Sequence, residues 1–295
     1  MLSREINKVY AERMRRVCDF ISEHIDEDLS VNKLSQVANF SKFHFHRQFS
    51  VYTGCSVAKY ILKLRLKRAS YQLVFNKNSL IIDIALDAGF ENPESFSRAF
   101  KKYFIQTPSQ FRTKPDWVLW HKNYEFPSCE IHNRTKRDND MKTEIVDFKE
   151  TKVAVLEHRG SHELLNDSVS VFMDWRKQSK LSPVPTNQSY GLVYDDPKAV
   201  KPENFRFDIC GEVKAEVPEN PQGIINKTIP GGRCVRLRHV GPHEAMDDKV
   251  HYLYGEWLPN SGEELRDFPC YFHYVNLYPD VSEHQLITDI YLPLK

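Results

Sequence analysis

Residues 158–163 read HRGSHE and residues 239–244 read HVGPHE, the same arrangement of His, Gly, His and Glu at a spacing of 81 residues. The echo is longer than the motif. A strand-like run precedes each copy (KVAVLEH and RCVRLRHV), and a helical stretch follows, about 163–178 and 244–257, with Trp175 and Trp257 near its end. Each copy closes on a strand-like run with an aspartate, Asp208 in FRFDICGEV and Asp289 in ITDIYLPL, again 81 apart. The runs YGLVYDD and CYFHYVNLY stand between. A duplication of this length restricts residues 141–295 to an α+β domain made of two βαββ-type repeats, about 143–217 and 224–295.

Two histidines four apart raise the question of a metal. A zinc pair at that spacing needs a helix to carry both rings on one face. Gly160 lies between one pair, Gly241 and Pro242 between the other, and no third ligand stands at a recognisable spacing. The stretch therefore reads as a strand-to-helix connection, with Glu163 and Glu244 in the first helical turn, where negative charge is favoured. No metal and no cofactor is expected. Without a nucleophile elbow, a Ser-His-Asp spacing or a phosphate loop, no catalytic residue is expected and the chain is not read as an enzyme. The six cysteines are scattered singly, which fits a reducing cytoplasm rather than a disulfide framework. No apolar run approaches the roughly 18 residues of a membrane span, and MLSREINKVYAERMRR is too charged for a signal peptide, so the expectation is a cytoplasmic protein with no membrane partner.

The first part of the chain has another texture and another charge. Residues 1–114 carry 19 Lys+Arg against 11 Asp+Glu, whereas residues 141–295 carry 18 against 24. A basic part suggests a polyanionic partner that the acidic part does not share. The spacing of Met14, Val17, Cys18, Ile21 and Ile25 predicts a helix. Ser30 is placed to cap a short helix and Ser41 the next, SKFHFHRQFSVYTG, which stops at Gly54. A long helix over about 56–76 follows, with Val57, Tyr60, Ile61, Leu64, Leu66, Ala69 and Leu73 mostly on one side. Ser79 opens another short helix that ends at Gly89, and the last helix runs about 93–103. Short helix, tight turn, short helix thus occurs twice, at about 32–53 and 81–104, which reads as an all-α domain with two helix-turn-helix units. Residues 114–140, ending in HNRTKRDND, read as a connecting segment.

The stretch GFENPESFSRAFKKYFIQTPSQFR (89–112) resembles the signature of the AraC/XylS family of transcription regulators, through Gly89, Phe90, Phe96, Arg98, Phe100, Lys101, Phe104, Thr107, Pro108, Phe111 and Arg112. LSQVANFSKFHFHRQFSVYTGCSVAKYI (34–61) is similar to the first helix-turn-helix of the same family, and the resemblance covers about 12–113. It implies double-stranded promoter DNA as partner, with RNA polymerase as a second. The second helix of each unit would enter the major groove, so one chain could read two successive segments about 34 Å apart. The base-reading positions carried over are Phe43, His46 and Arg47 in one helix and Glu94, Ser97 and Arg98 in the other. Arg47 and Arg98 suit guanine edges and Phe43 a thymine methyl. Arg98 could instead pair with Glu94, four residues earlier. Ser41, Lys42, Lys101 and Lys102 either touch phosphates or face water. Phe45, Phe49, Phe96 and Phe100 read as core.

Residues 141–295 resemble the GyrI-like small-molecule-binding domain, through IPGGRCVRLRHVGPHEAM, YGEWLPNSGEELRDFPCYFHYV and TDIYLPLK. The pairing of the two domains looks like the Rob type of regulator. The resemblance implies a cleft between the repeats for a small hydrophobic, often cationic, effector. Such a site needs aromatic faces and a carboxylate. The candidates are Trp175, Tyr190, Trp257, Tyr271, His273 and Asp289, with Asp289 standing one methylene short of the family's glutamate; Asp208 is its repeat partner. The expectation is a ligand-responsive DNA-binding regulator, an activator by family habit. Two rivals stay open: a hydrolase or sequestering sink for a toxic small molecule, and a protein-interaction module that senses nothing.

Overall fold

The computed structural model describes residues 2–124, 141–278, 281 and 283–295, with the backbone alone for residues 2–11, Lys42 and Phe43. The chain divides into two units, residues 1–136 and 137–295. Of the expected connecting segment, residues 125–140 lie outside the described residues.

The first unit is helical: α1 (Leu2–Glu23), α2 (Val31–Val37), α3 (Lys42–Thr53), α4 (Val57–Phe75), α5 (Ile81–Asp87), α6 (Pro93–Phe104), α7 (Pro108–Thr113) and α8 (Trp117–Asn123). Side-chain caps set most of the starts. Ser30 accepts from Lys33 N, Ser56 from Lys59 N and Asn92 from Ser95 N, while Thr107 and Gln110 form a reciprocal capping box. Two of the expected caps differ. Ser41 holds the N-cap position of α3 without a side-chain cap bond, and α5 is preceded by Leu80, the Ser79 carbonyl instead accepting from Arg112 Nη2 at 2.8 Å.

Two cores form, one for each helix-turn-helix unit. Met14, Val17, Ile21, Leu34, Phe45 and Phe49 fill the first; Ile84, Phe96, Phe100, Phe104, Phe111, Trp117 and Trp120 fill the second. Helix α4 belongs to both. Val57, Tyr60 and Leu64 pack into the first core, and Leu66, Ala69, Leu73 and Val74 into the second. The expected one-sided stripe is therefore two stripes, because 57, 60 and 64 face roughly opposite to 66, 69 and 73 at 100° per residue. Arg65 in the same helix donates to Ile25 O at 3.0 Å and Glu27 O at 3.1 Å, tying α4 to the chain just past α1. Residues 114–124, assigned from sequence to the connecting segment, instead carry α8. Its Trp117 and Trp120 are buried and Trp120 Nε1 donates to Ser70 Oγ at 3.0 Å, so this helix is part of the second core.

The second unit carries β1 (Thr143–Phe148), β2 (Thr151–Arg159), α9 (Leu165–Ser179), β3 (Ser189–Val193), β4 (Arg206–Glu212), β5 (Ile225–Ile229), β6 (Gly232–Val240), α10 (Asp247–Tyr252), a π-helical turn Leu253–Trp257, α11 (Leu258–Ser261), β7 (Cys270–Tyr274) and β8 (Ile287–Pro293). All strand pairs are antiparallel, in the order β1-β6-β8-β7-β3-β4-β2-β5. Exchanging the two halves of the chain leaves this order unchanged. Each half holds one strand more than the βαββ reading, and that strand, β1 or β5, pairs with the other half. Only two residues join β1 to β2 and β5 to β6, although each of these pairs stands six places apart in the sheet. Strands spaced about 4.8 Å apart could not be joined that way in a flat sheet. The sheet curls until its ends meet, and the two connections cross at Gly231, where a Cβ would stand 2.9 Å from Glu150 N and 3.1 Å from Phe148 O.

The motif that marks the repeat is a turn. Gly160 and Gly241 hold φ of +125° and +126°, which favours glycine. His158 Nε2 lies 3.1 Å from Ser161 O and His239 Nε2 lies 2.9 Å from Pro242 O, so each ring braces its own turn. Among the described residues no group of His, Cys, Asp and Glu is arranged to hold a metal.

Candidate DNA-reading helices and a candidate ligand face

Helices α3 and α6 bury one side and expose the other. Phe45, Phe49, Phe96 and Phe100 point into the cores. On the opposite sides, His46 and Arg47 of α3 and Glu94, Arg98, Lys101 and Lys102 of α6 are exposed, with Ser97 half-buried and Ser41 exposed at the head of α3. Arg98 has no ion pair with Glu94 among the described residues, which leaves its guanidinium available. The side chains of Lys42 and Phe43 lie outside the described residues. Sequence reasoning missed three further residues on the outer side of α3: His44, Ser50 and Val51, the last 77% exposed. Val51 stands three and four residues after Gln48 and Arg47, neither of them a core residue, and a pattern search that scores Val as apolar does not see that it is exposed.

The sheet of the second unit has two faces. Helix α9 and the α10 region cover one of them, burying Phe172, Trp175, Phe207, Ile209, Val235, Leu237, Leu253, Phe272 and Ile290. The other face buries Val155, Tyr190, Leu192, Cys210, Cys234, Tyr271 and Tyr291. The expected ligand residues are split by this division. Tyr190, Tyr271, His273 and Asp289 share the face turned away from the helices, whereas Trp175 and Trp257 pack on the helical side. On the face turned away from the helices the rings of Tyr271 and Tyr291 stack at 5.0 Å with 5° between planes, and His273 stacks on Tyr190 at 5.0 Å. Phe148, from the end of β1, sets its edge against Tyr190, Tyr271 and Tyr291 at 6.0, 5.1 and 5.4 Å. Burial pushes the Tyr190 hydroxyl up to about 12 and that of Tyr271 higher still.

Both repeat aspartates lie on this face and both are spoken for. Asp289, 2% exposed, sits opposite Arg238 on β6 and takes its guanidinium in two bonds of 2.7 and 2.8 Å. Asp208, fully buried, sits opposite Glu157 on β2 and accepts from Arg159 at 2.9 Å, Lys227 at 2.7 Å and the Tyr194 hydroxyl at 2.8 Å. The register is the same in both halves, since Glu157 and Arg238 are themselves 81 apart. Burying a carboxylate demands such partners. Phe148, Tyr291, Arg236 and Arg238 were not among the expected site residues; only the alternation of Tyr291 with Asp289 along β8 could have pointed to one of them.

Residues 141–295 match the family described as GyrI-like small molecule binding domain, more than half of the chain, and residues 34–114 match a helix-turn-helix domain. The chain belongs to the GyrI-like family. The transcriptional regulator Rob of Salmonella typhimurium is 35% identical over 259 residues, covering 83% of this chain and 84% of that protein. The probable transcriptional regulator YgiV of Escherichia coli K12 is 48% identical over 153 residues, 51% of this chain and 94% of that protein. The right origin-binding protein of Escherichia coli K12 is 36% identical over 104 residues, 35% of this chain and 36% of that one. The architecture is thus a helix-turn-helix domain followed by a GyrI-like domain. No helix among the described residues is long and apolar enough to cross a membrane.

Two imidazoles of the GyrI-like domain give it a pH dependence. Burial lowers the affinity of His158 and of His273 for a proton below the ordinary 6.5. Between their folded values and 6.5 the unfolded chain binds more protons than the folded one, so stability rises with pH through that window. The GyrI-like domain should lose melting temperature as pH falls below 6.5, and His158→Gln should lose less. Melts of the full chain at several pH values check this; a domain equally stable on both sides of the window would show that neither ring resists protonation.

Proposed function

We propose that this protein is a transcription regulator that reads a bipartite promoter site through α3 and α6 and answers to a small molecule bound by its GyrI-like domain. The observation that carries the first half is the two-sidedness of both helices. The positions expected to read bases, His46, Arg47, Glu94 and Arg98, face solvent, while the phenylalanines one turn away fill separate cores joined by α4. A 19-residue α4 is about 28 Å long, the right order for holding two recognition helices one helical repeat of DNA apart. The relatives named as transcriptional regulators support this reading. Control of the activating kind, through RNA polymerase at the promoter, is the reading that the resemblance favours. The acid that the hydrolase reading would draw on, Asp289, is engaged in an ion pair with Arg238, which weighs against the catalytic rival.

The effector acts only if it binds the DNA-competent and incompetent states with different affinity. The test is selection of a site from random duplexes by the full chain, then titration of that site with and without a panel of neutral, cationic and anionic amphiphiles. A selected sequence with two half-sites and an affinity that one class of compound alters supports the reading. An affinity that no class alters removes the effector from it.

A further inference from the structure

The two helix-turn-helix units are built around separate cores, and among the described residues only α4 supplies side chains to both. Apolar packing therefore does not lock one unit against the other. Where the units meet there is a cleft of about 290 Å³, lined by Leu29 and Val31 of the first, Ile61 and Arg65 of α4, and Ala88 and Phe90 of the second. Side chains that face a void have no partner atoms across it, so they do not fix an angle.

What bridges the two units here is a guanidinium. Arg65 stands near the middle of α4 and is half-buried. On one side its Nε donates to Ile25 O at 3.0 Å and its Nη2 to Glu27 O at 3.1 Å, both in the turn between α1 and α2. On the other side Nη1 lies against Gly89, in the turn between α5 and α6, where a Cβ would collide with Nη1 and stand 3.0 Å from Cζ. Gly89 also holds φ of +77°, which favours glycine. Further along the same side of α4, Arg68 pairs with Asp26, and Gln72 Nε2 donates to Asp87 Oδ2 at 3.4 Å. Each of those contacts reaches one unit, whereas Arg65 touches both. We propose that Arg65 is a positioning residue: wedged between the two turns, it sets the separation and angle of α3 and α6, and so the half-site spacing that the chain accepts on DNA. The proposal rests on the reading of DNA by both helices and names what fixes their geometry. A guanidinium is a planar fork with fixed donor directions, so contacts on both of its sides hold two turns at one distance and one angle.

The test uses the full chain and the selected duplex, with its half-sites moved apart or together by one and two base pairs, beside duplexes that keep a single half-site. Each base pair shifts a half-site by about 3.4 Å and turns it by about 35°. The wild type should lose about tenfold in affinity at one base pair either way. Arg65→Met keeps the stem and removes the donors. It should lose about tenfold on the selected spacing, bind the two neighbouring spacings within about threefold of that, and match the wild type on single half-sites. Arg65→Lys, which can reach one carbonyl, should fall between, and serves if the methionine variant melts far below the wild type. Gly89→Ala should flatten the same profile by crowding the guanidinium, and in combination with Arg65→Met should flatten it no further. Equal losses on every duplex, single half-sites included, make Arg65 an ordinary stabilising residue and overturn the proposal. A profile in the Arg65 variants as sharp as that of the wild type overturns it too, and full additivity of Gly89→Ala with Arg65→Met overturns the wedge. A wild type indifferent to spacing overturns the two-helix reading itself, and shows it before any variant is made.

Discussion

Replacing Arg47 and Arg98 together by alanine should weaken binding to the selected site by about 2–6 kcal/mol while leaving the fold intact. Each guanidinium stands exposed on the outer side of its recognition helix. A two-bond contact between arginine and guanine discriminates by about 1–3 kcal/mol. The two residues sit on different helices with different cores, so their losses should add. Binding to random duplexes should fall much less, and the salt dependence should change little, because base contacts carry no released counterions. Equal losses on cognate and random DNA, with the log–log salt slope shallower by about two, would make both residues phosphate contacts instead.

Phe100→Ala should be the most damaging single change in the first domain. The ring is fully buried and lies 5.6 Å from Phe96, 4.7 Å from Phe104 and 5.5 Å from Phe111. Removing a phenylalanine from such a position costs about 3–5 kcal/mol, against a typical domain stability of about 5–15 kcal/mol. In the full chain the melting of the helical domain should therefore move down by about 10 °C or more, with the GyrI-like domain unmoved. Since α6 is one of the two helices proposed to read DNA, DNA affinity should fall along with the folded fraction. A loss below about 1 kcal/mol would mean that the aromatic cluster closes over the gap.

The helical half of this fold was legible because its signals are local. Caps such as Ser30, the glycine that closes α3 and the phenylalanines four apart in α6 each act within one or two turns. Helix α4 was misjudged where two non-local partners claim opposite sides of it, and α8 was missed because WVLWHKN is short and flanked by proline and polar residues. In the second half the repeat was visible in spacing alone, down to the aspartates 81 apart. The strands TEIVDF and INKTI were not, since both are exchanged edge strands whose burial is too irregular to alternate. The candidate ligand residues could be chosen by type but not by the side of the sheet they occupy. Nothing in a sequence says which face of a sheet a helical tryptophan will cover, so Trp175 and Trp257 were grouped with tyrosines that lie across the sheet from them. Nor does spacing reveal that Arg238 and Asp289 meet, because the two stand 51 residues apart in the chain and only the register of β6 on β8 brings them together.

The exchange of β1 and β5 between halves has a consequence for the newborn chain. Neither half owns a complete set of strands, and β8, the last of the eight, lies between β6 and β7 in the interior of the sheet. The sheet cannot be completed while β8 is still inside the ribosome, because β6 and β7 are joined only through it. The helical domain needs only residues up to about 124 and makes its contacts between neighbouring helices. At about 5–20 residues per second, roughly 8–30 s separate the end of one domain from the completion of the other. A chain in that interval, or one whose synthesis stops before Ile287, has its helix-turn-helix half complete and its GyrI-like half still lacking a central strand.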